Sequence, residues 1–424
     1  MFSLGPNAAV SRNLCAVCLV VPLSDSETTR QTARKLSDCT ALILIEPPSF
    51  GLGRHDLPSR MSRNNSRIHR DKKEAQLKYY TKQHQYTCGI DLHAKILYVC
   101  ILDSSGNILV HRKCKANPEA LLKLIEPYLE DLLIGVECMF TWYWIADFCE
   151  QHNIHFALGH AQYMKAIHGG KAKNDKIDSE KIARLLHSKM FPKAFVYPAK
   201  LRGTRDLVRR RNSLMRERAQ LMSHIQNTAY QYNLFIKLGD LKVPMHREGI
   251  AELFEDKSVQ LSMQLDLDRI EFYTDKLNKL EWYLKKTARH VDAQTISILQ
   301  SIHGVGTILS LVMLYEIHSV DRFDSVQDFA SYSRLIKCRR ESAGKLYGTG
   351  GAKIGNPSLR WAFGEAATLF LRANPDAQKW LEKKAQKHGK PKALTLLAHK
   401  LGRAVYFMLK RKQFFDQERF LATS

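Results

Sequence analysis

No apolar run in this 424-residue chain approaches the length of about 20 that a membrane-spanning helix needs, and no short basic amphipathic anchor stands at its C-terminal end. Acids are scarce: 42 Asp and Glu face 65 Lys and Arg, which leaves a formal net charge of +23. Solubility needs far less, so the excess implies a polyanionic partner, and nucleic acid suits it better than a membrane surface. The nine cysteines are odd in number and scattered, which excludes a disulfide framework and reads as reduced intracellular thiols. Cys15 and Cys18 form a lone CxxC with no second pair or nearby histidine, too little for a zinc site. Internal repeats and low-complexity tracts are also missing. What remains is a chain that is 45% apolar, enough for two or three domains with cores of their own.

Residues 1 to about 80 read as a tail without a catalytic role. LCAVCLVVPL, 14 to 23, has the look of a signal-peptide core, but one Arg precedes it, and Met61 opens a plausible shorter protein. From Thr87 the pattern becomes regular. CGIDL, ILYVCILD and NILVHRKCK are three β-rich runs joined by turns short enough for hairpins. A helix is expected over Pro118 to Leu129. DLLIGVE, 131 to 137, is a continuous apolar run of the buried parallel-strand kind, followed by an aromatic helix, FTWYWIADFCEQH, and a short strand, 154 to 160. Together these predict an α/β domain ending near 195.

Leu207, Leu214 and Leu221 stand seven apart, as do Met263, Ile270, Leu277, Leu284 and Val291. Two long helices follow from this, either paired as a coiled-coil arm and dimer seam or packed in an ordinary bundle. The first carries Arg202, Arg205, Arg209, Arg210, Arg211, Arg216 and Arg218, a density that points to phosphate contacts.

Acids in the α/β region are placed where the apolar pattern predicts burial. Asp91 ends one strand, Glu137 ends another, and a buried carboxylate costs several kcal/mol unless it is paired or bound to a cation. Asp175 and Asp178 share one face of a first helical turn that Asn174 can cap; the helix dipole alone favours acids there. Four carboxylates at strand ends and a helix start converge at the edge of an α/β sheet. Oxygen ligands of this kind suit Mg²⁺ or Mn²⁺.

GIDLHAK, IGVECMFTWYW and KNDKIDSEKIARLL, in this order, resemble the D, E and D-x-x-D motifs of the DEDD transposases of bacterial insertion sequences, the IS110 class. The resemblance covers about 86 to 412. It implies α/β plus α: an RNase H-like (RuvC-like) catalytic domain over 86–195, a long-helix coiled-coil arm over 200–295, and a mainly helical C-terminal domain with a helix-hairpin-helix over 296–415. By position, Asp91, Glu137, Asp175 and Asp178 would hold two Mg²⁺ or Mn²⁺ ions.

In the second half, QSIHGVGTILSLVMLYEI places Gly304 and Gly306 between apolar helical runs. That is either a plain turn or a helix-hairpin-helix whose backbone approaches a phosphate. CRRESAGKLYGTGG, from 338, reads as a basic loop, and nothing local supplies a base for Ser342. The resemblance makes Ser342 the nucleophile, although Ala343 stands where many relatives carry glycine. Expected nucleic-acid contacts are Gly304, Gly306, Arg205, Arg209, Arg210, Arg211 and Lys345. The expected protein is a metal-dependent recombinase in the bacterial cytoplasm at the nucleoid. It acts as a dimer or tetramer on element ends and target DNA without a membrane, and the resemblance implies an element-encoded guide RNA as a further partner. A metal-dependent junction nuclease without a covalent intermediate is the alternative.

Overall fold

A computed structural model describes residues 78–167, 174–343, 345–350, 354–372 and 374–422. The expectations for residues 1–77, including Cys15, Cys18 and Met61, lie outside the described residues. Residues 78–80, which the sequence assigns to the tail, are tied down: Tyr80 N donates to Phe191 O at 2.9 Å and Lys193 N to Lys78 O at 2.7 Å.

The first half is a mixed sheet of five strands, β1 (Tyr86–Leu92), β2 (Ile96–Leu102), β3 (Ile108–Lys115), β4 (Leu132–Glu137) and β5 (His155–Gly159), in the order β3-β2-β1-β4-β5. β1, β2 and β3 form antiparallel hairpins, whereas β4 runs parallel to both β1 and β5. Alternation explains the layering. Cys88, Ile90 and Leu92 of β1 join Leu97, Val99 and Ile101 of β2 in one core with α1 (Pro118–Ile125) and α2 (Tyr143–Gln151). The aromatic helix thus starts at Tyr143, later than its sequence suggests, and Phe140 is left exposed before it.

The opposite face is covered by α4 (Asp175–His187), which follows α3 (Ala161–Ile167). Gly89 makes this close approach possible, because a Cβ there would lie 2.3 Å from both Ala183 N and Ser179 O. Asn174 Oδ1 accepts from Lys176 N at 3.0 Å and fixes where α4 begins.

Two long helices follow, α5 (Ala199–Gln231) and α6 (Lys257–Gln300), and they pack on one another. Leu221, Met222 and Ile225 of α5 meet Met263, Leu267 and Ile270 of α6 in one cluster, sealed by Leu241, Ile250 and Phe254 from the connection. The seven-residue stripe holds through Leu284 but fails at Val291, which is 42% exposed. There the helix breaks at Asp292 (φ −162°, ψ 84°), whose carboxylate re-caps it by accepting from Thr295 N at 2.8 Å.

The remaining chain is mainly helical: α7 (Thr307–Ile317), α8 (Val326–Tyr332), α9 (Pro357–Phe370), α10 (Pro375–His388), α11 (Lys390–Arg411) and α12 (Gln417–Ala422). They share a core that includes Val312, Phe329, Phe363, Phe370, Leu401 and Val405. The segment read as a basic loop is a two-stranded ribbon, β6 (Cys338–Ser342) and β7 (Lys345–Gly350). Cys88, Cys100, Cys114, Cys138 and Cys149 are free thiols. No described helix is long and apolar enough to cross a membrane.

Candidate active site

Sheet register brings two acids abreast. Ile90 pairs with Val136 across the parallel β1–β4 junction, so the next residues, Asp91 and Glu137, stand side by side at the carboxyl ends of their strands. By alternation they share the face of Gly89 and Gly135, the face that α4 covers. The tight contact of α4 at Gly89 therefore sets its first turn, with Asp175 and Asp178, over the same strand ends.

Asp91 and Asp175 converge on His93. Its Nε2 lies 3.2 Å from Asp91 Oδ2 and 3.5 Å from Asp175 Oδ2, and the three ligand atoms fall within 4.8 Å of one another. Burial raises the pKa of Asp91; His93 opposes this, while the charges of Asp175 and Asp178 push it further up. Acids that repel one another on a partly desolvated edge gain from a cation between them. The oxygen-rich donor set fits a hard divalent ion, and His93 could add one nitrogen. Asp178 is held by Lys181 Nζ at 3.0 Å. Sequence reading passed over His93, although two positions after Asp91 along an extended strand is a spacing that returns to the same face.

Ser342 belongs to the two-stranded ribbon of the C-terminal half. It is exposed at the end of β6 and pairs with Lys345, which is also exposed. Among the described residues no hydrogen bond or ion pair links Ser342 to Asp91, Asp175 or Asp178. Ala343, next to it, has φ +50° in the tight turn, a left-handed conformation that costs a non-glycine residue roughly 1–2 kcal/mol.

The two glycines of the α6–α7 turn differ. Gly304 has φ +81°, and a Cβ there would meet the Leu369 backbone carbon at 2.6 Å, so packing on α9 demands glycine. Gly306 precedes α7 at φ −81°, with nothing within 4 Å of its would-be Cβ.

Arginines of α5 have an internal use that the sequence did not reveal. Glu316 of α7 is fully buried. It accepts from Arg205 Nε at 3.0 Å, from Arg209 Nε at 2.6 Å and Nη2 at 3.0 Å, and from Asn356 Nδ2 at 2.8 Å. Arg211 pairs with Glu281 of α6 at 2.7 Å. Arg202 meets Asp147 at 2.6 Å and lies over the Trp142 ring, which fastens α5 to the sheet domain. Buried charges of this kind require partners, and Glu316 is the partner of the buried Arg205. Arg209, though paired with Glu316, is exposed, as are Arg210 and Arg216. The readable signal was Glu316 itself, an acid inside the apolar run TILSLVMLYEI.

Comparison with known proteins adds two family matches. Residues 88–234 match the DEDD transposase family of the IS110 type, described as "Transposase", and residues 296–382 match "Transposase IS116/IS110/IS902 family". The first match spans Asp91, Glu137, Asp175, Asp178 and α5; the second spans the α6–α7 turn and Ser342. The chain is also similar to "Transposase for insertion sequence element IS1111A" of Coxiella burnetii (strain RSA 493 / Nine Mile phase I). The two are 22% identical over 336 residues, 77% of this chain and 90% of that protein.

Proposed function

We propose that this chain, which belongs to the IS110-class DEDD transposases, cuts and rejoins DNA at insertion-sequence ends through a site shared between Asp91, Glu137, Asp175 and Asp178 and Ser342 of the C-terminal ribbon. The observation that carries the reading is the convergence of Asp91 and Asp175 within reach of one ion, with Glu137 abreast on the next strand. The sheet order, with its parallel β1, β4 and β5, supports an RNase H-like assignment.

Mg²⁺ or Mn²⁺ bound there, as two ions, would stabilise charge developing on a phosphodiester. The four carboxylates hold and orient the cutting edge. The exposed Ser342 Oγ attacks phosphorus, forming an Oγ–P bond while the bond to a deoxyribose oxygen breaks. The serine proton leaves Oγ, and the departing oxygen is released as a hydroxyl. The phosphoserine link then keeps the bond energy for rejoining. Ser342 lies on the C-terminal ribbon and the carboxylates on the sheet domain, and on this reading protomers assemble to complete the composite site, with the long helices as the seam. The positive charge serves DNA and an element-encoded guide RNA.

The test incubates full-length protein with metal, element-end DNA and flanking element RNA, and looks for a covalent protein–DNA adduct. An adduct in wild type and none in Ser342→Ala is expected. Metal-dependent cutting by both, without adduct, refutes the serine role. Asp91→Asn is expected to abolish cleavage and keep nucleic-acid binding; loss of binding removes the metal-site assignment.

A further inference from the structure

The opposite edge of the same sheet carries a second constellation, independent of the transposase reading. His84 lies just before β1, Asp131 immediately precedes β4, and His155 opens β5. Parallel pairing of these three strands sets the three side chains together at their amino ends, away from Asp91 and Glu137. One ligand atom from each lies within 4.8 Å of the others.

We propose that His84, Asp131 and His155 bind one Zn²⁺ ion, with solvent as the fourth ligand. Two imidazoles and a carboxylate are a zinc donor set, at about 2.0–2.2 Å from the metal in a tetrahedral site. His84 Nδ1 now lies 2.6 Å from Asp131 Oδ1, and a metal takes the place of the proton between them.

The surroundings already supply what metal ligands need. Tyr80 Oη lies 2.8 Å from His84 Nε2, so with the metal on Nδ1 this nitrogen carries the proton and donates to the phenol oxygen. The second carboxylate oxygen of Asp131 accepts from Gln85 N at 2.8 Å. His84 is buried, Asp131 half-exposed and His155 exposed, which gives the ion a path in from solvent. The ring centroids of His84 and His155 are 4.5 Å apart, so the exposed His155 side chain has only a short swing to make. A bound ion would staple the starts of three strands to the segment that precedes them.

The two edges differ in chemistry, and this makes the test selective. Excess Mg²⁺ occupies an oxygen site and competes poorly for imidazole nitrogen. Full-length protein, stripped of metal and held in excess Mg²⁺, is titrated with Co²⁺ as a visible probe for the zinc position. One Co²⁺ per chain with the absorption of a four-coordinate, nitrogen-ligated ion is expected in wild type and in Asp91→Asn. In His155→Gln, an exposed change that leaves the fold intact, the affinity falls by more than about 100-fold. Wild-type affinity in His155→Gln, loss of binding in Asp91→Asn, or no stoichiometric binding in wild type overturns the proposal.

Discussion

Replacing Glu316 by Ala should be among the most damaging single changes in the chain. Glu316 is fully buried and answers two guanidinium groups, one of which, on Arg205, is only 9% exposed. Removing one partner of a buried ion pair costs about 3–5 kcal/mol, because the remaining charge stays desolvated. The melting temperature should fall on the order of 10 °C. Glu316→Gln keeps the shape and part of the hydrogen bonding and should cost roughly 1.5–3 kcal/mol. Burial pushes the Glu316 carboxyl up, yet hydrogen bonding from Arg209, the charges of Arg205 and Arg209, and Asn356 hold it below the usual carboxylate range. A pKa depressed by folding contributes stability above the unfolded value and loses it as pH falls through the folded one. The gap between wild type and Glu316→Gln should therefore be full at neutral pH and narrow in acid. Urea unfolding at several pH values measures both quantities. A loss under about 1 kcal/mol for Glu316→Ala at pH 7, or a gap that widens in acid, refutes the account of the buried cluster.

Gly89→Ala forces a methyl against the α4 backbone and should destabilise by about 1–3 kcal/mol, with weaker Mg²⁺ binding as Asp175 and Asp178 shift; unfolding and metal titrations check this. Gly304→Ala combines left-handed backbone with a clash on Leu369 and should cost about 2–4 kcal/mol, whereas Gly306→Ala should change stability by less than about 0.5 kcal/mol; a larger loss at Gly306 on thermal unfolding contradicts the packing account. Arg210→Ala with Arg216→Ala should weaken DNA binding and flatten its salt dependence without unfolding the protein, while Arg205→Ala should unfold it more easily. Filter binding at several salt concentrations, beside melting curves, separates the two cases.

Local pattern was enough for much of the architecture. β-rich runs joined by short turns marked β1 to β3, the continuous run at 132–137 marked a strand buried on both faces, and seven-residue spacing marked α5 and α6. These signals are legible because each depends on the period of one element. The ribbon at Cys338–Gly350 escaped because its glycine-rich, basic residues carry no apolar period.

Sequence by itself also singled out Asp91 and Glu137, since an acid against the local apolar pattern needs a reason wherever the chain goes, and Asp175 and Asp178 through their shared face on a first helical turn. Tertiary structure alone decided which charges answer one another. Arg205 and Glu316 are 111 residues apart, and nothing near either predicts their meeting. The same seven arginines that read as a phosphate track are divided by packing into buried partners and exposed groups. His93 between two acids, and His84, Asp131 and His155 at the far edge, likewise come together only when strands pair. Burial is a property of the whole fold, and it is burial that turns a charged side chain from a solvated group into one that must find a counter-charge or an ion.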